Sequence, residues 1–406
     1  MIRRRHVIYV EGYDPQGAEG YYDLFQRSFV RFQKLWRFGG ALGPLQIDSE
    51  DFAHWDVAAE GPNWRTETRY EFLRQEQMIR ANMAEPLPKL VFRALRWTAC
   101  FMVDGSNYRI IRAGWRYGVS LVHFQMMMVL WVGLAALGGA LAGWAIVRYL
   151  GRIESVGVMG GLIAAALLFF AMKPLAHRWF VIQINSHWPH LVEYVRGEKS
   201  CFEHPVEVCA QRLVEAARAN AADEIVIVGH SGGGILLPVI VARALELDSD
   251  LGRHGPRIVM FTTGSIMPSV GVQPWATVLR RAIERVAIEP SIVWIDAQSR
   301  KDVLNFWGLD PVAGLGIDVG ERRRNPLVWD VRFRDMLSEE RYSRVRLNLF
   351  VMHYQFLMAN DKSAPYDYCM LAAGPVAVED WACRGADIVP AFAADGSFAG
   401  VPAASS

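Results

Sequence analysis

The segment Glu224–Leu247, EIVIVGHSGGGILLPVIVARALEL, decides the fold of this 406-residue chain. It begins with a short β-branched run, which is typical of a strand that is covered on both faces. It ends with an apolar stretch, Ile235–Leu247, which is long enough to form a helix. Between the two lies the pattern G-x-S-x-G, so Ser231 is predicted to stand in a tight turn between strand and helix.

A serine in such a turn has the geometry that nucleophilic catalysis needs. The turn lifts the hydroxyl above the sheet at strained backbone angles, and the flanking glycines avoid collisions with the neighbouring strand and helix. The start of the helix directs free N–H groups and the positive end of its dipole toward a developing oxyanion. No Gly-Lys-Ser/Thr sequence follows Gly234, so the stretch does not match a phosphate-binding P-loop.

Alternating strands and helices around this turn indicate an α/β protein with a mostly parallel sheet flanked by helices. The expected strands are Ile2–Gly12, His54–Ala58, Phe180–Asn185, Glu224–Val228, Arg257–Thr262, Ser291–Ile295 and Val345–Val351. The expected helices are Tyr21–Arg37, Tyr70–Met83, Pro205–Ala222, Ile235–Leu247 and Pro274–Ile288.

The composition excludes several classes of protein. Hydrophobic residues make up 52% of the chain and charged residues 21%, with a formal net charge of +1. A near-neutral chain lacks the concentrated basic surface of a nucleic-acid-binding protein, and its hydrophobic content excludes intrinsic disorder. The five cysteines are widely spaced and form no CxxC pair, so neither a zinc site nor a disulfide framework is expected.

Two uncharged runs account for the excess of hydrophobic residues. Val119–Val147 and Val156–Met172 contain no Lys, Arg, Asp or Glu, and as helices they would be about 44 and 25 Å long. The hydrocarbon core of a bilayer is about 30 Å thick. Glycine and alanine recur in both runs and suit close packing of two membrane helices. The sequence therefore predicts a transmembrane hairpin that contacts the bilayer through residues 119–172.

Basic residues on both long flanks of the hairpin predict its orientation. These residues are Arg109, Arg112, Arg116, Lys173, His177 and Arg178, whereas the connecting turn holds Arg148 and Arg152 with Glu154. The positive-inside rule then predicts two spans with the remaining chain in the cytoplasm. The expected division is an N-terminal part of the α/β domain in residues 1–117, the hairpin in 118–173, the α/β core in 174–384 and a disordered tail in 385–406.

Through VIVGHSGGG the chain resembles the α/β-hydrolase superfamily, in particular its lipase and esterase branches. The resemblance covers about Phe180–Met358 together with the first strand, and the hairpin is an insertion relative to that fold. It implies an α/β-hydrolase fold with Ser231 as the nucleophile. It also implies a catalytic triad that runs along the chain in the order serine, acid, histidine.

The implied order of the triad points to His353 as the base. This histidine directly follows the last expected strand, VRLNLFV, whereas His254 lies in a turn before an earlier strand. A base at the end of the last strand can reach a serine at the edge of the sheet. His230 lies inside the serine turn, and it is expected to pack or to orient its neighbours rather than to act as the base.

Three aspartates that follow the strand Ser291–Ile295 are candidates for the acid of the triad. Asp302, in KDVLNF, is similar to the D-x-V pattern found after this strand in lipase-like relatives, and it is favoured. Asp296 ends the strand itself and is the alternative acid. Asp310 lies farther along the chain and is the third candidate.

The resemblance also implies where the oxyanion is held. One donor is the backbone N–H of Gly232, directly after the nucleophile. The other comes from the loop after the first strand, VIYVEGYDPQG, which contains Gly12 and Tyr13. The segment Thr262–Val270, TTGSIMPSV, is similar to a TxGS segment in lipase relatives and is expected to shape the pocket.

The expected function is that of a membrane-anchored serine hydrolase that cleaves carboxylic esters through an acyl-enzyme, without a metal or an organic cofactor. The hairpin makes a lipid or another amphipathic ester a candidate substrate. The alternative is that the hairpin only anchors the protein at the membrane. The main alternative is a non-catalytic membrane scaffold or transport accessory on a hydrolase-like fold. A soluble hydrolase with a buried helical lid is the third hypothesis.

Overall fold

The computed structural model describes residues 1–151 and 153–401. Within these residues, nine strands form one mixed sheet. They are β1 (Arg4–Val10), β2 (Gly39–Leu42), β3 (Gln46–Ile47), β4 (Phe52–Gly61), β5 (Trp64–Leu73), β6 (Glu224–His230), β7 (Arg257–Thr263), β8 (Ile292–Gln298) and β9 (Leu327–Asp330).

Helices cover both faces of this sheet. The α-helices of the described chain are α1 (Gly17–Trp36), α2 (Glu76–Met83), α3 (Leu87–Val103), α4 (Ser106–Ala113), α5 (Trp115–Leu150), α6 (Glu154–Ala171), α7 (Lys173–Arg178), α8 (Val181–Arg196), α9 (Glu203–Ala219), α10 (Gly233–Leu247), α11 (Pro268–Gly271), α12 (Thr277–Ala287), α13 (Phe333–Met336), α14 (Glu339–Val345), α15 (Leu349–Tyr354), α16 (Tyr368–Ala373) and α17 (Val378–Ile388). Short 3-10 helices cover Ala313–Leu315, Gly320–Arg322 and Val389–Ala391.

The sheet is mostly parallel, as the alternation of strands and helices predicts. Its strand order is β2-β4-β5-β1-β6-β7-β8-β9, with β3 beside β4. The pairs from β5 through β1 to β9 are parallel, whereas β2, β3 and β5 pair with β4 in antiparallel fashion. The carboxyl ends of β1, β6, β7 and β8 therefore lie at one edge, where the loops that follow them come together.

Side chains alternate between two buried cores along the central strands. Ile8 and Val10 of β1 pack in the core on one face, together with residues of α8, α9, α10 and α12. Val7 and Tyr9 point to the other face, where they pack with residues of α1 and α16. This period of two with apolar residues on both faces explains the β-branched runs, because a strand covered on both sides has no polar face.

The helices α5 and α6 are long and apolar enough to cross a membrane. They pack against each other through backbone surfaces that carry no side chain. A Cβ atom on Gly139 would lie 2.5 Å from the carbonyl oxygen of Gly161, and one on Gly143 would lie 2.6 Å from that of Gly157. Small residues at the contact let the two backbones approach closely, as is typical of paired membrane helices.

The first half of α5 packs against the α/β domain. Tyr117, Leu121 and Met128 are buried there, and the side-chain amide of Asn185 in α8 donates a hydrogen bond to the carbonyl oxygen of Phe124 at 3.2 Å. The second half, from Trp131 onward, is paired with α6, and a helix of that length spans about 30 Å. The uncharged run therefore has two environments, because its first half packs against the α/β domain and its second half pairs with α6.

Two expected strands are helical in the structure. Phe180–Asn185 was expected to be extended, but α8 begins at Val181, because Val181, Ile182 and Asn185 lie on one helical face against α3 and α5. Val345–Val351 was expected to be the last strand, but it contains the break between α14 and α15. Asn348 caps α15 by accepting a hydrogen bond from the N–H of Val351 at 3.1 Å.

Two further expectations differ from the structure. Tyr70–Met83 was expected to be a helix, but β5 continues to Leu73 and the helix α2 begins only at Glu76. The tail from residue 385 was expected to be disordered, yet α17 continues to Ile388 and Phe398 is buried. The ring of Phe398 stacks on Phe392 at 4.5 Å, and this contact gives the tail an apolar anchor. Arg152 and residues 402–406 lie outside the described residues.

We expect Gly143→Val to destabilise the helix pair by about 1–3 kcal/mol, because the side chain would force the two backbones apart. Gly133→Val is the matched control, since a Cβ atom there meets nothing within 4 Å. Thermal unfolding of the full chain in detergent measures both. Equal unfolding midpoints for the two variants would contradict the observed packing.

Candidate active site

Ser231 lies in the turn between β6 and α10, at the carboxyl edge of the sheet. Its φ angle is +56°, a left-handed conformation that costs energy for a residue with a side chain. The turn is held from the neighbouring strand, because the N–H of Ser231 donates to the carbonyl oxygen of Thr263 at 3.2 Å. A Cβ atom at Gly233 would overlap the carbonyl oxygen of Val10, so this position requires glycine. The strand–turn–helix expected around Ser231 is present.

His353 and Asp302 form a buried pair beside this turn. The Nδ1 atom of His353 lies 2.7 Å from Oδ2 of Asp302, and their side chains are 5% and 0% exposed. The other carboxylate oxygen of Asp302 accepts a hydrogen bond from the N–H of Leu304 at 2.8 Å. Asp302 therefore holds the ring of His353 through one nitrogen and leaves Nε2 for other chemistry.

The Nε2 atom of His353 is buried and has no hydrogen-bond partner among the described residues. Ser231 and His353 border the same cavity, but they do not hydrogen-bond to each other in this structure. Hydrogen bonds between a nucleophile and its base are often long without substrate and tighten when the substrate binds. The arrangement therefore brings together the three residues Ser231, His353 and Asp302 that the sequence singled out.

The two other candidate acids have different partners. Asp296 accepts hydrogen bonds from the hydroxyl of Thr262 at 2.5 Å and the amide of Gln298 at 2.7 Å. Burial raises the pKa of Asp296 to about 6, and nearby Asp310 adds to the effect. Asp310 itself forms an ion pair with Arg323. Of the three aspartates, Asp302 is the one hydrogen-bonded to His353.

Two backbone amides lie beside the serine, one in the loop after β1 and one in the serine turn. A Cβ atom on Gly232 would lie 3.4 Å from the backbone nitrogen of Tyr13, and one on Gly12 would lie 3.2 Å from Cβ of Ser231. Within the described chain, the N–H groups of Tyr13 and Gly232 donate to no protein acceptor. Glycine at position 12 thus lets the loop after β1 approach the serine turn, and it leaves two donors for an oxyanion.

Glu11 precedes this loop and is fully buried without a side-chain partner in the described residues. Burial raises its pKa well above the usual range, and the neighbouring carboxyl groups of Asp14 and Glu76 raise it further. The raised pKa favours the neutral form of Glu11, which lowers the negative charge near the loop that contains Gly12 and Tyr13.

A cavity of about 420 Å³ extends from Ser231 toward α8 and α15. One face of α8 lines it with Phe180, Gln183, Ile184 and His187, and Phe350 faces them from α15. These residues were not among the predicted site residues, because Phe180–Asn185 was expected to be a strand. Their spacing of three, four and seven residues is the helical signal that identifies them.

His187 and His230 are the two other histidines of the cavity wall. The ring of His187 stacks on Tyr13 at 4.5 Å, and burial lowers its pKa to about 3, with a smaller contribution from His190. The Nε2 atom of His230 lies 3.2 Å from the carbonyl oxygen of His353, and burial lowers the pKa of His230 as well. Both rings are therefore neutral near pH 7, and His230 contacts the backbone of the helix that carries His353.

Asp14 connects the loop after β1 to the helix that carries His353. Its carboxylate accepts a hydrogen bond from the hydroxyl of Tyr354, the residue after His353. The same carboxylate accepts hydrogen bonds from the backbone N–H of Gln16 at 3.0 Å and from its side chain at 3.1 Å. The loop with Tyr13 and the helix with His353 are therefore tied together at the wall of the cavity.

No protein-family model matches this chain, and no curated protein and no solved structure gives a significant match to it. Among the described residues, no group of three or more His, Cys, Asp or Glu has the arrangement of a metal site. A functional assignment therefore depends on the geometry around Ser231.

The raised pKa of Asp296 predicts a pH dependence of stability. A carboxyl group that is harder to ionise in the folded state stabilises the protein most below pH ~4, and this contribution is lost as the pH rises through ~6. We expect Asp296→Asn to lose less thermal stability than the wild type between pH ~4 and ~7. The control is Asp335→Asn, at an exposed aspartate. Parallel curves for wild type and Asp296→Asn would contradict the shift.

Proposed function

We propose that the chain is a membrane-anchored serine hydrolase with an α/β-hydrolase fold, and that it cleaves carboxylic esters. One observation supports the proposal most strongly. His353, held by Asp302, borders the same cavity as Ser231, whose backbone is strained in a turn between a parallel strand and a helix. Strain of this kind at a polar side chain in a cavity is typical of a nucleophile.

In the proposed first step, Nε2 of His353 takes the proton of the Ser231 hydroxyl while Oγ attacks the ester carbonyl. A bond forms between Oγ and the carbonyl carbon, and the negative charge moves to the carbonyl oxygen. The amides of Tyr13 and Gly232 donate to that oxygen. Asp302 holds Nδ1–H and stabilises the imidazolium, so His353 retains the orientation it needs.

The tetrahedral intermediate then collapses. The bond between the carbonyl carbon and the alkoxy oxygen breaks, and the alcohol leaves with the proton from His353. Water attacks the resulting acyl-enzyme with His353 again as the base, which releases the carboxylic acid and restores Ser231. Every proton moves between substrate, water, Ser231 and His353, so the proposed reaction needs no metal or organic cofactor.

The proposed anchor is the hairpin of α5 and α6. Its support is the pair of apolar helices and the close approach of their backbones at Gly139 and Gly143. We place the catalytic part in the cytoplasm, because the exposed basic residues Lys173 and Arg178 follow α6 directly.

We expect a fluorophosphonate probe to label the wild type and to leave Ser231→Ala unlabelled, because the probe reacts with an activated serine hydroxyl. Gel fluorescence of the full chain in detergent measures the labelling. Ser186→Ala is the control, since Ser186 lies in α8 close to the cavity and donates to the carbonyl oxygen of Gln183 at 2.9 Å.

Labelling of Ser186→Ala at the wild-type level would show that the loss is specific to Ser231. Equal labelling of wild type and Ser231→Ala, or none of either, would contradict the proposal. The second result would favour the non-catalytic scaffold or transport accessory.

We expect Asp302→Asn to lower kcat for a short-chain ester by roughly a thousandfold or more, because the amide holds the wrong tautomer of His353. Asp296→Asn is the matched control, since its hydrogen bonds go to Thr262 and Gln298, and we expect a kcat within about tenfold of the wild type. A larger loss for Asp296→Asn than for Asp302→Asn would reverse the assignment of the acid.

A further inference from the structure

The cavity at Ser231 has one end near the membrane helices. Phe180 lines the cavity and lies nine residues beyond the end of α6 at Ala171. The start of α8 packs with Met128 and Trp131 of α5, at the level where α5 begins to pair with α6. Phe180 therefore lies near the boundary between the α/β domain and the proposed membrane span, and it lines the same cavity as Ser231.

Phe180 meets Phe350 at this end. Their ring centroids are 4.4 Å apart, and Phe180 is 39% exposed. Phe350 is one helical turn before His353 in α15, so the two rings form a partly exposed contact one turn above the proposed base. Both rings line the cavity that Ser231 also borders.

Exposed apolar side chains lie close in the chain to the two rings. This entrance patch consists of Leu175, Trp179, Phe180, Leu347 and Leu349. Leu347 is 84% exposed and lies in the short connection between α14 and α15. A polar residue at this position would not lower the stability of the fold. Leu175, Trp179 and Phe180 directly follow the two membrane-length helices in the chain, and exposed apolar residues in such a position indicate contact with lipid.

Basic residues border the entrance patch. Lys173, His177 and Arg178 are exposed on the α7 side, and Arg344 and Arg346 are exposed on the α14 side. Arg344 is paired with Glu340, and Arg346 makes no ion pair among the described residues. Lysine and arginine side chains on both sides of exposed apolar side chains match the headgroup region of a membrane that contains anionic lipid.

We propose that the entrance patch docks on the leaflet from which the hairpin emerges, and that the substrate enters the cavity from the bilayer between Phe180 and Phe350. The substrate is then an amphipathic ester whose acyl chain lies in the leaflet. This inference rests on the proposed hydrolase function and specifies the substrate class of the same site.

The test compares one water-soluble and one membrane-bound ester. The full chain is reconstituted in vesicles of phosphatidylcholine and phosphatidylglycerol, and it is given para-nitrophenyl butyrate in solution or umbelliferyl oleate in the bilayer. The variant is Leu347→Gln combined with Leu349→Gln, which removes two apolar side chains outside the proposed catalytic machinery. The matched control is Met102→Gln combined with Val103→Gln, which changes two exposed apolar residues at the end of α3 far from the patch.

We expect the Leu347/Leu349 variant to cleave the bilayer ester at least about fivefold more slowly than the wild type, because two leucines no longer enter the leaflet. Its rate on the soluble ester should stay within about twofold, as should both rates of the control variant. Retained activity on the soluble ester also shows that the variant is folded.

Two outcomes would overturn the inference in different ways. Equal rates of wild type and variant on the bilayer ester, or a parallel loss on both esters, would overturn the membrane entrance and leave the hydrolase proposal intact. Absence of wild-type activity on both esters would overturn the proposed function and the membrane entrance together.

Discussion

The close approach of the start of α10 to the end of β1 is the constraint on which the proposed site depends. A side chain at Gly233 would overlap the carbonyl oxygen of Val10, so two backbones meet there without any side chain between them. This contact brings the loop with Tyr13 beside Ser231, where the backbone amides of Tyr13 and Gly232 have no acceptor among the described residues. The proposed base His353 and the proposed acid Asp302 come from later segments, and their proposed roles depend on this fixed position of Ser231.

The long helix α5 connects this site to the proposed membrane anchor. Its first half is part of the wall of the α/β domain, since Tyr117 lines the cavity and packs on Phe306 at 4.8 Å. Phe306 lies four residues after Asp302 in the same loop. At the start of α5, the guanidinium of Arg116 donates a hydrogen bond to the carbonyl oxygen of Arg300 at 2.5 Å. The loop that holds the proposed acid therefore contacts the first turns of α5. The proposed anchor and the proposed site are thus in direct contact in this structure.

The sequence predicted the parts of the structure that depend on neighbouring residues. The turn at Ser231 follows from glycine and from the β-branched run before it, and the apolar helices follow from their lack of charge. It did not predict α8, because the β-branched residues around Ile182 favour a strand until packing on α5 outweighs that preference. The strand Trp64–Leu73 alternates buried and exposed residues over its first half. The residues after Tyr70 have helical spacing, and for this reason the end of the strand was assigned to a helix. His353 was selected from its order in the chain alone. The helix that carries it, α15, was not predicted, because a strand was expected at Val345–Val351.

A structure of the full chain with a covalently bound phosphonate ester tests the convergence at Ser231 most directly. We expect phosphorus bonded to Oγ of Ser231, with one phosphoryl oxygen ~2.7–3.1 Å from the backbone nitrogens of Tyr13 and Gly232 and with His353 turned toward the leaving-group position. An adduct on a different residue would contradict the proposed chemistry, as would a phosphoryl oxygen that points away from both amides.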